Sequence, residues 1–396
     1  MPVEQSRSGA THKVPLWRQP VFRAVVFQVL LVLGIAAFGY YLLSNTLSNM
    51  EQRGITTGFG FLSNEAGFGI LQSLIEYDET HTYGRTFFVG LLNTLLVAGL
   101  GIFFATLLGF FIGVARLSHN WLVARLATAY IEIFRNIPLL LQIIFWYFAV
   151  LRPLPLPRQS LSVGDAVFLN NRGLFLPRPV AEDGIWLAGM ALIGAIVLMM
   201  GIAYWAKRRQ AATGRQFPTL LVGFVAITGL PLAVFLASGS PLHWDYPALK
   251  GFNFRGGLEV IPELAALLLA LSIYTAAFIA EAVRSGIMAV SHGQTEAAYA
   301  LGLRPRVTLK LVIIPQAMRV IIPQLTSQYL NLTKNSSLAT AIGYPDLVNV
   351  FAGTTLNQTG QAVEVIAMTM AVYLAISLLI STFMNWYNKR KQLVER

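Results

Sequence analysis

The chain has 396 residues, 55% of them hydrophobic and 12% charged, with a mean hydropathy of +0.61, whereas a soluble globular domain carries roughly a quarter charged residues. This composition excludes a water-soluble enzyme or binding module and indicates a polytopic membrane protein of all-α class. A formal charge of +11 and the absence of cysteine leave a basic surface to be explained, and exclude a disulfide framework, a thiolate metal site and a thiol nucleophile.

A hydrocarbon core about 30 Å thick takes roughly 20 apolar residues per helix. Eight runs qualify: 24–44, 88–114, 126–151, 185–205, 218–238, 259–283, 322–345 and 363–386. The first follows a basic tail and is longer than the roughly 7–15 apolar residues of a signal peptide, so it is expected to stay as an anchor. The glycine-rich stretch GFGFLSNEAGFG at 58–69 matches neither a phosphate loop nor a dinucleotide fingerprint and is expected to form turns.

Gly109 and Gly113 in the second run form a G-x-x-x-G pair of the kind that lets helices pack closely. In the third, Glu132 and Arg135 share a face and can neutralise each other or line a pathway. Asn136 and Pro138 interrupt the same helix, freeing carbonyls that neighbours or cavity water must satisfy. The sixth run offers Tyr274 and Thr275. In the seventh, Lys334, Asn335 and Ser336 make the most polar patch at membrane depth, where ionisable groups are costly and usually face a cavity. Lys334 with Asn335 and Ser336 could donate to the carboxylate of an amino-acid zwitterion, and Glu132 could accept from its ammonium. Lys334 could instead pair with Glu364 on the last run.

Most of the 29 lysines and arginines fall in the N-terminal tail, near 115–125, 206–217 and 284–320, and at the C-terminus. These are alternate loops, so both termini are expected on the cytoplasmic side. The basic charge is thereby assigned to membrane topology, and nucleic acid is not expected as a partner.

Between the sixth and seventh runs lies the polar segment GQTEAAYALGLRPRVTLKLVIIP, Gly293 to Pro315. TEAAYAL is expected to form two short helical turns with Glu296 in the first turn, where a carboxylate complements the helix dipole. Gly302 is placed to end them in the left-handed conformation, and Pro305 to open the next helix. Ala297 and Ala298 keep the surface low, which suits a helix that docks into a groove of another protein. A plain amphipathic connector and a helix-turn-helix are the other readings of the spacing.

The same segment resembles the cytoplasmic EAA motif of permease subunits of bacterial ATP-binding cassette importers, with Glu296, Ala297, Ala298, Gly302, Val312, Ile314 and Pro315 in register. EIFRNIPLLLQIIFWYF from Glu132 and FIAEAVRSGIMAVSHGQTEAA from Phe278 look like the polar-amino-acid branch, and size and inserts look most like the larger permease of general L-amino-acid uptake systems. The resemblance implies a type I importer core at 85–155 and 258–396, with a tail, first span and outer loop at 1–84 and an inserted helix pair at 156–257. It further implies a separate cytoplasmic ATPase holding ATP and magnesium and docked on the segment near 291–315. A periplasmic binding protein, a second and non-identical permease, and an L-amino acid as cargo complete the expected partners. No G-x-x-x-x-G-K-[ST] phosphate loop occurs in the chain, so no cofactor and no catalysis are expected of it. An ion-coupled transporter or channel using Lys334, Glu132 and Glu364 as a relay is the rival reading, and a membrane anchor or sensor is a third.

Overall fold

The computed structural model describes residues 20–52 and 57–391; the basic tail before residue 20 and the last five residues lie outside them. In chain order the helices are α1 (Pro20–Gln52), α2 (Tyr83–Arg116), α3 (Trp121–Asn136), α4 (Leu139–Leu151), α5 (Ile185–Thr213) and α6 (Thr219–Ala237). They continue as α7 (Pro262–Met288), α8 (His292–Ala300), α9 (Pro305–Ile342) and α10 (Ala362–Lys391). Seven of these are long and apolar enough to cross a membrane, and the bent α3–α4 pair makes an eighth if it is one span.

Each predicted span falls on one of these helices except the third, which falls on the bent α3–α4 pair, and the seventh differs in length. The third is not one rod: α3 and α4 meet at 103°, because Pro138 has no N–H to donate and the residue before it is driven out of helical geometry. The freed carbonyls are satisfied from within. Gln142 Nε2 donates to the carbonyls of Phe134 at 3.1 Å and Ile137 at 3.0 Å, and Asn136 Nδ2 donates to the Glu132 carbonyl at 2.7 Å. Replacing Gln142 with Leu keeps the volume and removes both bonds. At about 1–3 kcal/mol for a buried group left unsatisfied, the variant should melt several degrees lower in detergent; an unchanged melting temperature would show that the bend needs no such support.

The seventh span starts at Pro305 rather than near 322. The backbone widens to a π turn over Leu309–Ile313 ahead of Pro315, and such a turn absorbs the missing donor without ending the helix.

Eight short strands, outside the helix-only expectation, flank α5 and α6. Strands β1 (Leu161–Val163), β2 (Val167–Asn170), β3 (Gly173–Leu176) and β4 (Arg178–Ala181) precede α5. Strands β5 (Leu242–Asp245), β6 (Ala248–Lys250), β7 (Asn253–Arg255) and β8 (Leu258–Val260) follow α6. β1-β2-β3-β8 form an antiparallel sheet, and β4–β5 and β6–β7 form ribbons. Because β4 pairs with β5 and β3 with β8, the α5–α6 hairpin leaves and re-enters through a paired base. Runs of three or four residues are too short for alternation to reveal in a sequence this apolar.

α7 is the central helix. Its inward face is mostly small and fully buried, with Ala266, Ala270, Ala276, Ala277 and Ala280 at 0% exposure, so neighbours approach closely. The G-x-x-x-G pair behaves as expected: a Cβ on Gly109 would lie 2.6 Å from Ile279 Cβ, and one on Gly113 would lie 2.7 Å from the Ala280 carbonyl oxygen. Gly286 gives α9 the same access through Ile321. At the α8 end of this packing, Glu281 pairs with Arg116 from α2 and with Arg284 at 2.5 Å. Tyr130 Oη donates to the Ile273 carbonyl at 2.7 Å, joining α3 to α7.

At the strand-bearing end, residues 57–82 and 343–361 form a cap over α2 and α10. Asn93 Nδ2 donates to the carbonyls of Gln72 at 2.9 Å and Pro345 at 2.8 Å, and Leu347 N–H donates to Thr94 Oγ1 at 3.0 Å. Buried Asp346 accepts from Asn349 N–H at 2.8 Å. In the turn before α2, the Thr80 hydroxyl donates to Asp78 at 2.6 Å, and this bond holds the Asp78 carboxyl below the usual carboxylate range. The glycine-rich 58–69 stretch is part of this cap, as turns and one 3-10 segment at Gly60–Ser63.

Candidate functional site

α8 sits at the end of α7 opposite the strands and is closed by a Schellman arrangement. Gly302 adopts φ +75°, its N–H donates to the Tyr299 carbonyl at 2.9 Å, and Leu303 N–H donates to the Ala298 carbonyl at 3.1 Å. Pro305 then occupies the first turn of α9. Glu296 departs from its expected place: it is the fifth residue of α8, past the first turn, with His292 Nδ1 3.0 Å from its Oε1. The helix begins at His292, earlier than the TEAAYAL pattern implied, so that His292, Gly293 and Gln294 make up the first turn.

The motif residues divide by exposure. Ala298 is buried against the protein, while Glu296 and Ala297 are exposed. Tyr299 is 49% and Leu301 80% exposed, an apolar pair beyond the membrane-crossing helices. Val312 lies in the π turn, and Ile314 and Pro315 continue α9. Gln316 Nε2 donates to Gln294 Oε1 at 3.2 Å, so α8 is tied back to α9. Beside it, a cavity of about 680 Å³ among Phe110, Val114, His119, Leu309 and Ile314 separates this assembly from the ends of α2 and α3.

The structure splits the predicted pathway residues between two sides of α9. Tyr274, Thr275 and Asn335 line one cavity of about 260 Å³ with Phe278, Gln328 and Asn331. Lys334, one residue away and so turned by about 100°, faces a different cavity of about 450 Å³ with Ser337, Thr369, Tyr373 and Ser377. Ser336 is buried and donates its hydroxyl to the Thr333 carbonyl at 2.7 Å. Lys334, Asn335 and Ser336 therefore do not converge on one point, because consecutive helical residues point apart.

Two expected ion pairs are not formed among the described residues. Arg135 stacks its guanidinium 5.1 Å from the Phe278 ring centroid, at the edge of the Asn335 cavity, and Glu132 is exposed on α3. Glu364 is 8% exposed and accepts from Gly58 N–H at 2.5 Å, at the cap rather than beside Lys334. Sequence reading missed Gln328, Asn331, Thr369, Tyr373 and Ser377. Their spacing was the available signal: Gln328, Asn331 and Asn335 repeat at three and four residues, as do Thr369, Tyr373 and Ser377 at four, and each set makes one helical stripe.

Comparison with known proteins places this geometry in context. A family profile described as "Binding-protein-dependent transport system inner membrane component" matches residues 211–392. The putative amino-acid ABC transporter permease protein YhdX of Escherichia coli (strain K12) is 61% identical over 377 residues, 95% of this chain and 96% of that one. The general L-amino acid transport system permease protein AapQ of Rhizobium johnstonii is 53% identical, over 95% of this chain and 94% of that one. The glutamate/glutamine/aspartate/asparagine transport system permease protein BztB of Rhodobacter capsulatus is 45% identical over 95% of each. A crystal structure of an amino acid ABC transporter with histidines aligns at 21% identity and a TM-score of 0.46, over 78% of this chain and 95% of that one.

Proposed function

Since this chain belongs to the permease subunits of amino-acid ABC transporters, a non-catalytic, multi-pass inner-membrane family, we propose that it carries polar L-amino acids inward under the drive of a separate ATPase docked on α8. In this reading α8 and both termini face the cytoplasm, and the strands and cap face the periplasm, where a binding protein delivers the substrate. ATP and magnesium belong to the ATPase. A second, non-identical permease completes the pathway, and the inserted α5–α6 pair at 156–257 distinguishes this subunit from it.

The observation that carries the reading is the build of α8: a short helix with exposed Glu296, Ala297, Tyr299 and Leu301, closed at Gly302 and held between α7 and α9. A force applied to it reaches α9 through Gln294–Gln316 and α7 through the short 289–291 link. α7 in turn is fastened to α2 by the Gly109 and Gly113 contacts and by Glu281 with Arg116. Amino-acid polar groups meet hydroxyls and amides at Tyr274, Thr275 and Asn335, with Arg135 and Glu132 near the bend of α3.

The test is uptake into vesicles bearing the whole importer. Labelled amino acid should accumulate only with ATP and binding protein present, and ATP depletion should abolish accumulation even with ion gradients intact. Uptake that follows an ion gradient without ATP would contradict the proposal and favour an ion-coupled carrier.

A further inference from the structure

We propose that the groove between α9 and α10 is an anion site in which Lys334 favours net-negative, dicarboxylic amino acids over their neutral counterparts; the proposal rests on the transport reading above. Its polar lining apart from Lys334 is hydroxyl only: Ser337, Thr369, Tyr373 and Ser377. The groove lies well inside the bilayer, because Tyr373 follows the start of α10 at Ala362 by roughly 16 Å at about 1.5 Å per residue.

No carboxylate lines this groove, and among the described residues Lys334 enters no ion pair. Glu364, the acid that sequence position suggested, is held by Gly58 at the cap. An ammonium at such depth is costly without a counter-charge, so an arriving carboxylate is attracted to Lys334 and can accept from Ser377, whereas the hydroxyls of Ser337, Thr369 and Tyr373 already donate to the Lys334 carbonyl, the Val365 carbonyl and Asp346. A cationic side chain is repelled by Lys334, and the carboxylate behind the lining, Asp346, is fully buried and held by Tyr373 and the Asn349 N–H. The cavity of about 450 Å³ falls in the range of small-molecule sites, roughly 300–1,000 Å³.

The second cavity sharpens the contrast. Gln328, Asn331, Asn335, Tyr274 and Thr275 supply amides and hydroxyls with no charge in the lining, which suits neutral groups. Two chemically distinct surfaces on α9 would let one chain accept both acidic amino acids and their amides, with Lys334 serving only the acidic ones.

The test compares glutamate with glutamine, which has the same shape and no side-chain charge, in vesicles holding the complete importer with its ATPase, partner permease and binding protein. The readout is the glutamate-to-glutamine uptake ratio, which does not depend on how much complex assembles. Lys334→Met should lower the ratio about tenfold or more, the worth of one charge-assisted hydrogen bond, while Lys334→Arg keeps it within about twofold. An unchanged ratio in Lys334→Met, including a parallel fall in both uptakes, overturns the anion site, as does a wild-type complex that carries glutamine but no glutamate. A wild-type complex with no ATP-dependent amino-acid uptake overturns the transport reading itself, and the anion site with it.

Discussion

Gly109→Leu should abolish folded permease, whereas Gly99→Leu on the same helix should leave it intact. A Cβ at position 109 would already lie 2.6 Å from Ile279 Cβ and 3.0 Å from the Ala276 carbonyl oxygen. The first is the branched root of a buried side chain and the second is backbone, so neither can swing away. Three further carbons would force α2 and α7 apart along a contact that leaves no room even for a Cβ. Overpacking of this kind costs about 3 kcal/mol or more, a large part of the roughly 5–15 kcal/mol that holds a typical domain folded. Gly99 has nothing within 4 Å of its would-be Cβ. The measurement is the yield of monodisperse protein in detergent: loss for Gly109→Leu with near-normal recovery for Gly99→Leu is expected, and equal recovery would show that the two helices are not locked.

The second large effect is functional. Gly302→Val should cut ATP-dependent uptake on the order of 100-fold while membrane insertion and folding persist, and Gly302→Asn should retain most activity. At φ +75° a β-branched residue is strongly disfavoured and asparagine is tolerated, yet no atom lies within 4 Å of the added Cβ. The damage is therefore confined to the end of α8, where the left-handed turn aims Leu301 and fixes the start of α9. Glu296→Lys acts on the same surface without strain, reversing an exposed charge. A fall of that size corresponds to losing a docking hot spot, about 2–4 kcal/mol. Full uptake in Gly302→Val would show that the shape of α8 is immaterial to transport.

Much of this fold is legible in sequence because lipid imposes a simple rule, long apolar runs. The placement of the runs, the break at Pro138, the G-x-x-x-G contact and the glycine at the end of α8 all follow from local chemistry. What escaped depends on tertiary placement. Gln142 could be recognised as the group that satisfies the Phe134 and Ile137 carbonyls only once the bend folds it back. Asn93 and Thr94 join segments some 250 residues apart in the chain, beyond any periodicity. The strands were hidden by their brevity. Lys334, Asn335 and Ser336 looked like one site because they are adjacent in the chain, but helical rotation sends them to two cavities and a backbone bond.

The central claim is that α8 is the contact with the ATPase, and the absence of cysteine from the chain permits a clean test. Leu301→Cys places a lone thiol at the most exposed apolar point of the segment, 80% exposed, and Asp165→Cys places one at the strand-bearing end. With a crosslinker carrying a maleimide at one end and a photoactivated benzophenone at the other, which inserts into C–H bonds of whatever neighbour it meets, Leu301→Cys in the functioning complex should yield an adduct of permease plus ATPase and Asp165→Cys should not. A complex that transports amino acid under ATP, yet gives no ATPase adduct from position 301, would contradict the account.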